Sequence, residues 1–108
     1  MPIIIDFWNM MVLPIEYDKK LNYNDALLYC SLLNVEGYND WAMAAFDDMM
    51  VIDRYVDTSY HSILNRSHPY WVKDRGIRWG DGTFDKINDK TGDNLVYVKA
   101  VRKKNGFI

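Results

Sequence analysis

Gly37-Tyr38-Asn39-Asp40-Trp41 is the stretch of this sequence that decides the fold. It joins two segments with helical patterns, and Gly37 permits the backbone conformation that a helix exit needs. Asn39 and Asp40 have side chains that commonly hydrogen-bond to nearby backbone amides in turns, and we expect Trp41 to fill the core. The same polar oxygens could hold a ligand, but a structural turn is the interpretation we favour.

A helix is predicted on each side of this stretch. Before it, apolar residues recur at the spacing of one helix face, at Ala26, Tyr29, Cys30 and Leu33. Asn22 is a good N-cap and Asp25 forms a capping-box-like pair with it, so we predict a helix over residues 23–34. After it, apolar residues at spacings of four, three and four, with acids on the opposite side, predict a second helix over residues 45–56.

β-Strands are predicted at both ends of the chain. The apolar, β-branched stretch 3–15 predicts two short strands, and further strands follow a long loop over residues 57–69. The later strands cover residues 70–72, 76–79, 83–84 and 95–101, with a hairpin turn at 80–82 and a loop at 88–94.

The last of these strands has two different faces. Because side chains alternate along a strand, one face carries Val96, Val98 and Ala100 and the other carries Tyr97, Lys99 and Val101. Two helices early in the chain and an antiparallel sheet completed late predict an α+β fold. We expect a single domain over residues 1–108.

Composition narrows the class of protein. At 108 residues and 49% hydrophobic, the chain is large enough to bury a core of its own. No apolar run approaches the roughly 18 residues of a membrane helix, and the start at Met1 lacks the pattern of a signal peptide. The lone Cys30 cannot form an internal disulfide. We therefore expect a cytoplasmic protein with no membrane partner.

Charge is distributed unevenly along the chain. The net charge is −2, but residues 1–54 carry nine acids against three bases, while residues 55–108 carry ten bases against six acids. Such a dipolar surface can steer a charged partner, although salt-bridged, solvated faces are the interpretation we favour. A sequence pI of about 5.5 argues against nucleic acid as the partner.

The order of several motifs resembles the Lcl C-terminal domain family, a bacterial and phage domain of unknown function. In that family a helix ending in Tyr-Cys leads to Gly-Tyr-x-Asp-Trp and a second helix, as Tyr29-Cys30 leads to Gly37–Trp41 here. Tyr70-Trp71 is similar to the family's Tyr-Trp before its late strands. Val98-Lys99-Ala100-Val101-Arg102 is similar to its closing Val-Arg-Cys-Val-Arg.

The resemblance implies a C-type-lectin-like fold, with two helices flanking a small twisted antiparallel sheet and chain ends close together. Ala100 stands where many members have a cysteine that pairs with the Tyr-Cys cysteine. The resemblance therefore implies that Cys30 and Ala100 are neighbours in the core, with no disulfide between them. Ala44 and Ala45 replace the family's Pro-Thr, so the second helix is expected to begin earlier or to rely on its early acids, Asp47 and Asp48.

Catalytic and metal sites are not predicted. Cys30 lies on the buried stripe of its helix, whereas a nucleophilic thiolate needs exposure. His61 and His68, with Asp57, are spaced too widely for a usual zinc site, and a carboxylate pair of Asp53 and Asp57 on one helical turn is usually only solvated. The Glu-Pro-Asn and Gln-Pro-Asp triplets, which bind calcium and sugar in C-type lectins, are absent from the sequence. We expect no cofactor.

An aromatic and basic cluster late in the chain is the predicted partner-binding site. It consists of Tyr70, Trp71, Lys73, Arg75, Arg78 and Trp79. Tyr, Trp and Arg dominate interaction hot spots, and in C-type-lectin-like domains the late loops and strands form the usual binding face. The alternative is that Trp71 and Trp79 are core residues and the bases solvate a strand.

These observations favour a non-enzymatic, intracellular protein-interaction module. One instance would be a small phage or mobile-element protein that binds and modulates, for example inhibits, a bacterial host protein. The alternative is a lectin-like or virion-associated domain that recognises a surface glycan or receptor. The absence of a signal peptide and of a disulfide favours the first hypothesis.

Overall fold

The computed structural model describes residues 3–5, 8–58, 63–65, 67–73, 76–78, 84–86 and 95–103. The predicted α+β class is confirmed in these residues, which form two helices and nine short strands. The helices are α1, Tyr23–Leu32, and α2, Phe46–Thr58. The strands are β1 Ile3–Ile5, β2 Met10–Val12, β3 Lys19–Leu21, β4 Ala42–Met43, β5 Tyr70–Val72, β6 Gly76–Arg78, β7 Phe84–Lys86, β8 Val96–Val98 and β9 Ala100–Lys103.

The strands form two sheets instead of the one sheet expected. The first sheet has the order β1-β2-β9-β4 and the second has the order β3-β8-β5-β6-β7. The described pairings are antiparallel except that of β5 with β8, which is parallel at Tyr70 and Tyr97. The stretch predicted as one final strand is interrupted at Lys99, so its first half joins the second sheet and its second half joins the first.

The first sheet has a helix on each face. Met10, Val12 and Val101 project to the face covered by α2, where they share a core cluster with Met49 and Ile52. The alternate residues of the same strands belong to a second cluster with α1, which contains Met11, Met43, Ala100, Tyr23, Ala26 and Cys30. The predicted alternation along the last strand is confirmed, since Val96, Val98 and Ala100 all lie in this second cluster.

Helix α1 begins at the predicted cap. The Asn22 side-chain oxygen accepts a hydrogen bond from the Asp25 N–H at 2.8 Å. The helix ends at Leu32, two residues before the predicted end, because Leu33 adopts an extended conformation. The cap leaves one fewer unsatisfied N–H in the first turn.

Asn22→Ala is expected to lower the free energy of unfolding by about 1 kcal/mol, because the first turn loses its side-chain acceptor. Urea denaturation followed by circular dichroism measures this loss. Asn24→Ala is the matched control, since Asn24 is exposed within the helix and alanine is the better helix former. Equal stabilities of the two variants would show that the cap does not stabilise the helix.

Helix α2 relies on an early acid, as expected. The Asp48 carboxylate accepts a hydrogen bond from the Ala45 N–H at 3.0 Å, which satisfies the donor just before the helix. In a capping box, the side chain at the third helical position accepts a hydrogen bond from the N–H of the N-cap residue, and Asp48 makes this bond here. The helix begins at Phe46, one residue after the predicted start.

The prediction that Gly37 ends the first helix is wrong. Val35 and Tyr38 form a bridge with two backbone hydrogen bonds of 3.0–3.1 Å, and the residues between them have positive φ, 55° at Glu36 and 81° at Gly37. Positive φ at both central positions is typical of a type I′ turn, which favours glycine. Gly37 therefore forms a tight turn after α1 has already ended.

Candidate functional site

The turn around Gly37 is attached to the core by Trp41, which follows it in the sequence. This residue is only 3% exposed, as predicted, and its Nε1 donates a hydrogen bond to the Tyr38 carbonyl at 3.0 Å. A buried indole N–H needs such a partner. The bond fixes the turn relative to the core, so Tyr38 and Asp40 are held at the surface in defined positions.

The main partner of Asp40 is Arg102 on β9. This corrects the prediction that Asp40 bonds to a nearby backbone amide. Its carboxylate accepts hydrogen bonds from Arg102 Nε at 2.6 Å and Nη2 at 3.0 Å. The Arg102 guanidinium carbon lies 3.9 Å from the centroid of the Tyr38 ring, a cation–π contact. The hydrogen bond from Arg102 lowers the pKa of Asp40. Tyr38, Arg102 and Asp40 are thus joined by two hydrogen bonds and a cation–π contact, and we call them the arginine stack.

A second charged cluster lies at the start of α2. Asp48 is buried, and beside its bond to Ala45 it accepts a hydrogen bond from Trp8 Nε1 at 2.9 Å. Lys103 Nζ lies 2.6 Å from the same carboxylate and 4.7 Å from the centroid of the Trp8 ring. The two last residues of β9 thus each form an ion pair, Arg102 with Asp40 and Lys103 with Asp48. Their side chains point to opposite faces of the strand.

A cavity of about 310 Å³ connects these two clusters. We call it the charged groove, and it is lined by Asp40, Ala42, Met43, Ala45, Asp48, Lys73, Val101, Arg102 and Lys103. Lys73 is exposed, and its backbone N–H is fixed by a 3.1 Å bond to the Ala44 carbonyl. Among the described residues no acid pairs with its ammonium group, whereas Arg102 and Lys103 are both paired.

Comparisons with known proteins add no identification. No protein-family model matches this sequence, and no curated protein sequence matches it. The likeness to the Lcl C-terminal domain family therefore stays a prediction. In the ranges that the structure describes, no helix is long and apolar enough to cross a bilayer.

The predicted partner-binding cluster is divided by the structure. Tyr70 and Trp71 are 3% and 1% exposed, so the interpretation of Trp71 as a core residue holds and a partner cannot contact either ring directly. The reason is that β5 lies between β8 and β6 and is buried on both faces. Lys73, just after the strand, reaches the charged groove. Arg75, Trp79 and the side chain of Arg78 lie outside the described residues.

A buried ionic network was not predicted from the sequence. Lys99 is fully buried, and its Nζ lies 2.8 Å from Asp18 and donates to the Leu13 carbonyl at 3.1 Å. The Tyr70 hydroxyl donates to the second oxygen of Asp18 at 2.5 Å. Burial raises the pKa of Asp18 and lowers the pKa of Lys99. Because the Lys99 and Asp18 side chains are buried, we interpret the network as a structural support of the point at Lys99 where the chain leaves β8 and enters β9.

Cys30 is not positioned as a nucleophile. It is 1% exposed, and burial raises the pKa of its thiol to about 12, so the reactive thiolate is scarce at neutral pH. It shares the α1 core cluster with Ala100, as the resemblance implied. His68 stacks on Tyr97 with ring centroids 4.5 Å apart, whereas His61 and the side chain of Asp57 lie outside the described residues.

Proposed function

We propose that this chain is a non-enzymatic protein-interaction module whose partner binds at the charged groove. The observation that carries the proposal is that Asp40 and Arg102 of the arginine stack line one cavity with the exposed Lys73, whose ammonium pairs with no acid among the described residues. Arginine is enriched among the residues that dominate binding energy. Since the stack is already held by Asp40 and by the turn, little side-chain entropy is lost when a partner covers it.

The chemistry of the groove supports binding more than catalysis. Both of its acids, Asp40 and Asp48, are paired with a base, and the hydrogen bond from Arg102 moves the pKa of Asp40 further below neutral pH. A general acid or base needs a pKa near the working pH. Cys30 does not line the groove, and its thiol is buried in the core cluster that packs against α1. These properties fit a recognition surface with fixed charges.

We further propose that the fold is C-type-lectin-like and that the partner is an intracellular protein. The pairing of β2 with β9 brings early and late strands together, and helices cover both faces of that sheet, which agrees with the arrangement implied by the resemblance. The same resemblance implies a bacterial or phage origin, and the modulation of a bacterial host protein would be one instance of such an interaction. Cys30 needs no oxidising compartment, since it is free and buried.

Lys73→Glu is expected to weaken capture of the partner from bacterial lysate at least about tenfold, because the groove loses its unpaired positive charge and gains a negative one. Quantitative mass spectrometry of immobilised wild type and variant measures the recovered partner. Lys20→Glu is the matched control, because Lys20 is an exposed lysine on β3, in the other sheet. A stoichiometric partner retained by the control and lost from Lys73→Glu supports the proposal.

Two outcomes would contradict it. A partner recovered equally with Lys73→Glu and Lys20→Glu would place the binding face elsewhere. Retention of the protein by surface glycans alone, or its incorporation into virions, would instead support the lectin-like alternative. Circular dichroism of both variants is recorded first, so that a loss of capture is not confused with unfolding.

A further inference from the structure

A second cavity of about 410 Å³ lies beside the charged groove and has a different character. We call it the apolar pocket, and it is lined by Trp8, Met50, Val51 and Arg54. Met50 is 51% exposed although it is a large apolar side chain, while Trp8 and Val51 are partly buried against the core cluster of α2. The pocket is therefore built on a fixed base with an exposed methionine at its rim.

Two side-chain contacts join the lining of one cavity to that of the other. Trp8 lines the apolar pocket, and its indole N–H is bonded to Asp48, which lines the charged groove. Lys103, also in the groove, covers the Trp8 ring. Along α2, Asp48 and Val51 are three residues apart, which is a rise of about 5 Å along the axis. A single partner segment can therefore occupy both cavities in succession.

Charge indicates what occupies the groove. Three bases and two acids line it, and each acid is paired with a base, which leaves the ammonium of Lys73. An incoming carboxylate would find a partner there, whereas an incoming ammonium would be repelled. The apolar pocket favours a large apolar side chain, because contact with such a side chain removes the exposed apolar surface of the pocket from water.

We propose that the partner binds through one segment that inserts a large apolar side chain into the apolar pocket and places a carboxylate against Lys73. This inference rests on the proposed function and specifies the chemistry of the partner. Methionine and tryptophan surfaces adapt to leucine, methionine or phenylalanine, so the anchor is defined as a large apolar residue. The acid beside it sets the orientation of the segment.

The experiment is a selection of random 12-residue peptides displayed against the immobilised full chain. Enriched peptides are synthesised, and their affinities are measured by fluorescence anisotropy. The pocket variant is Met50→Gln, which removes apolar contact without adding charge. Its matched control is Leu32→Gln, because Leu32 is 72% exposed on α1, on the other side of the first sheet. Lys73→Glu and Lys20→Glu form the second pair.

The expected peptides combine one leucine, methionine or phenylalanine with one aspartate or glutamate. Met50→Gln and Lys73→Glu each weaken their binding at least about tenfold, while the two controls leave it unchanged. Replacing the peptide's acid by alanine removes most of the effect of Lys73→Glu, because the lost attraction and the new repulsion both depend on that acid.

Enriched peptides without an acid, no enrichment, or affinities insensitive to Met50→Gln would overturn the inference. So would a dimer in sedimentation that dissociates with Met50→Gln, because a second copy would then occupy the pocket. A captured protein partner that is lost with Lys73→Glu but retained with Met50→Gln refutes this inference alone. A partner retained with both variants refutes the proposed function as well.

Discussion

Lys99→Met is expected to lower the free energy of unfolding by about 3–5 kcal/mol at pH 7.5, because the change leaves the buried carboxyl of Asp18 without its cation. The Asp18 carboxylate can avoid being buried as an unpaired charge by taking up a proton. Protonating a group of ordinary pKa near 3.9 at pH 7.5 costs about 5 kcal/mol, at 1.36 kcal/mol per pH unit, which limits the loss. The Leu13 carbonyl also loses its donor.

The loss is expected to shrink as the pH falls. In wild type, the positive charge of Lys99 partly offsets the effect of burial, which raises the pKa of the Asp18 carboxyl. Without Lys99 this offset is lost, so the pKa of Asp18 rises further. A group whose pKa is raised in the folded state contributes stability that is present below its unfolded pKa and lost as the pH rises through the folded pKa. At pH 4.5 the penalty for protonation is therefore only about 1 kcal/mol.

Urea denaturation of wild type and Lys99→Met at pH 7.5 and 4.5 measures both effects. The double variant Lys99→Met with Asp18→Asn is the control, because the neutral amide can keep a hydrogen bond with Tyr70 and no charge is buried. It is expected to recover most of the lost stability at pH 7.5. A single-variant loss of equal size at both pH values would contradict the buried ion pair.

Trp71→Ala is expected to cost about 3–5 kcal/mol, because it empties a site that is 1% exposed in the α1 core cluster. Its ring meets Tyr23 edge-on with centroids 5.3 Å apart. Its Nε1 donates to the Leu21 carbonyl at 2.8 Å, which ties β5 to the end of β3. Trp71→Phe keeps most of the apolar volume but loses this bond, so a smaller loss of about 1–3 kcal/mol is expected.

Thermal and urea denaturation measure the stability of both variants, and Leu32→Ala serves as the exposed apolar control with a change within about 0.5 kcal/mol. Partner affinity of the folded Trp71→Phe protein is expected to equal that of wild type. Weakened binding with unchanged stability would instead place Trp71 at the interface, as one of the two sequence interpretations has it.

Local features were predicted well because they depend on neighbouring residues. The helical period around Ala26 and the cap at Asn22 fix α1, and the alternation at Val96 and Val98 fixes which side chains enter the core. The end of α1 was predicted less well. A glycine indicates positive φ but does not say whether the turn belongs to a helix end or to a separate bridge, and Gly37 belongs to the bridge.

The candidate site depends on contacts between residues far apart in the sequence. Arg102 meets Asp40 across 62 positions, and Lys103 meets Asp48, which no short-range pattern indicates. The sequence predicts Tyr70 and Trp71 as partner-binding residues but leaves open whether Trp71 is a core residue, because aromatic residues are common both in cores and in interfaces. Their burial follows from the inner position of β5 in its sheet, which only the strand order reveals.

The most direct test of the charged groove as the binding face is amide hydrogen exchange of the wild-type chain, alone and saturated with the captured partner. We expect slower exchange in the complex over residues 40–51 and around Lys73, which line the groove and the apolar pocket, with no change in α1. Protection concentrated on α1, with exchange over residues 40–51 unchanged, would contradict the account.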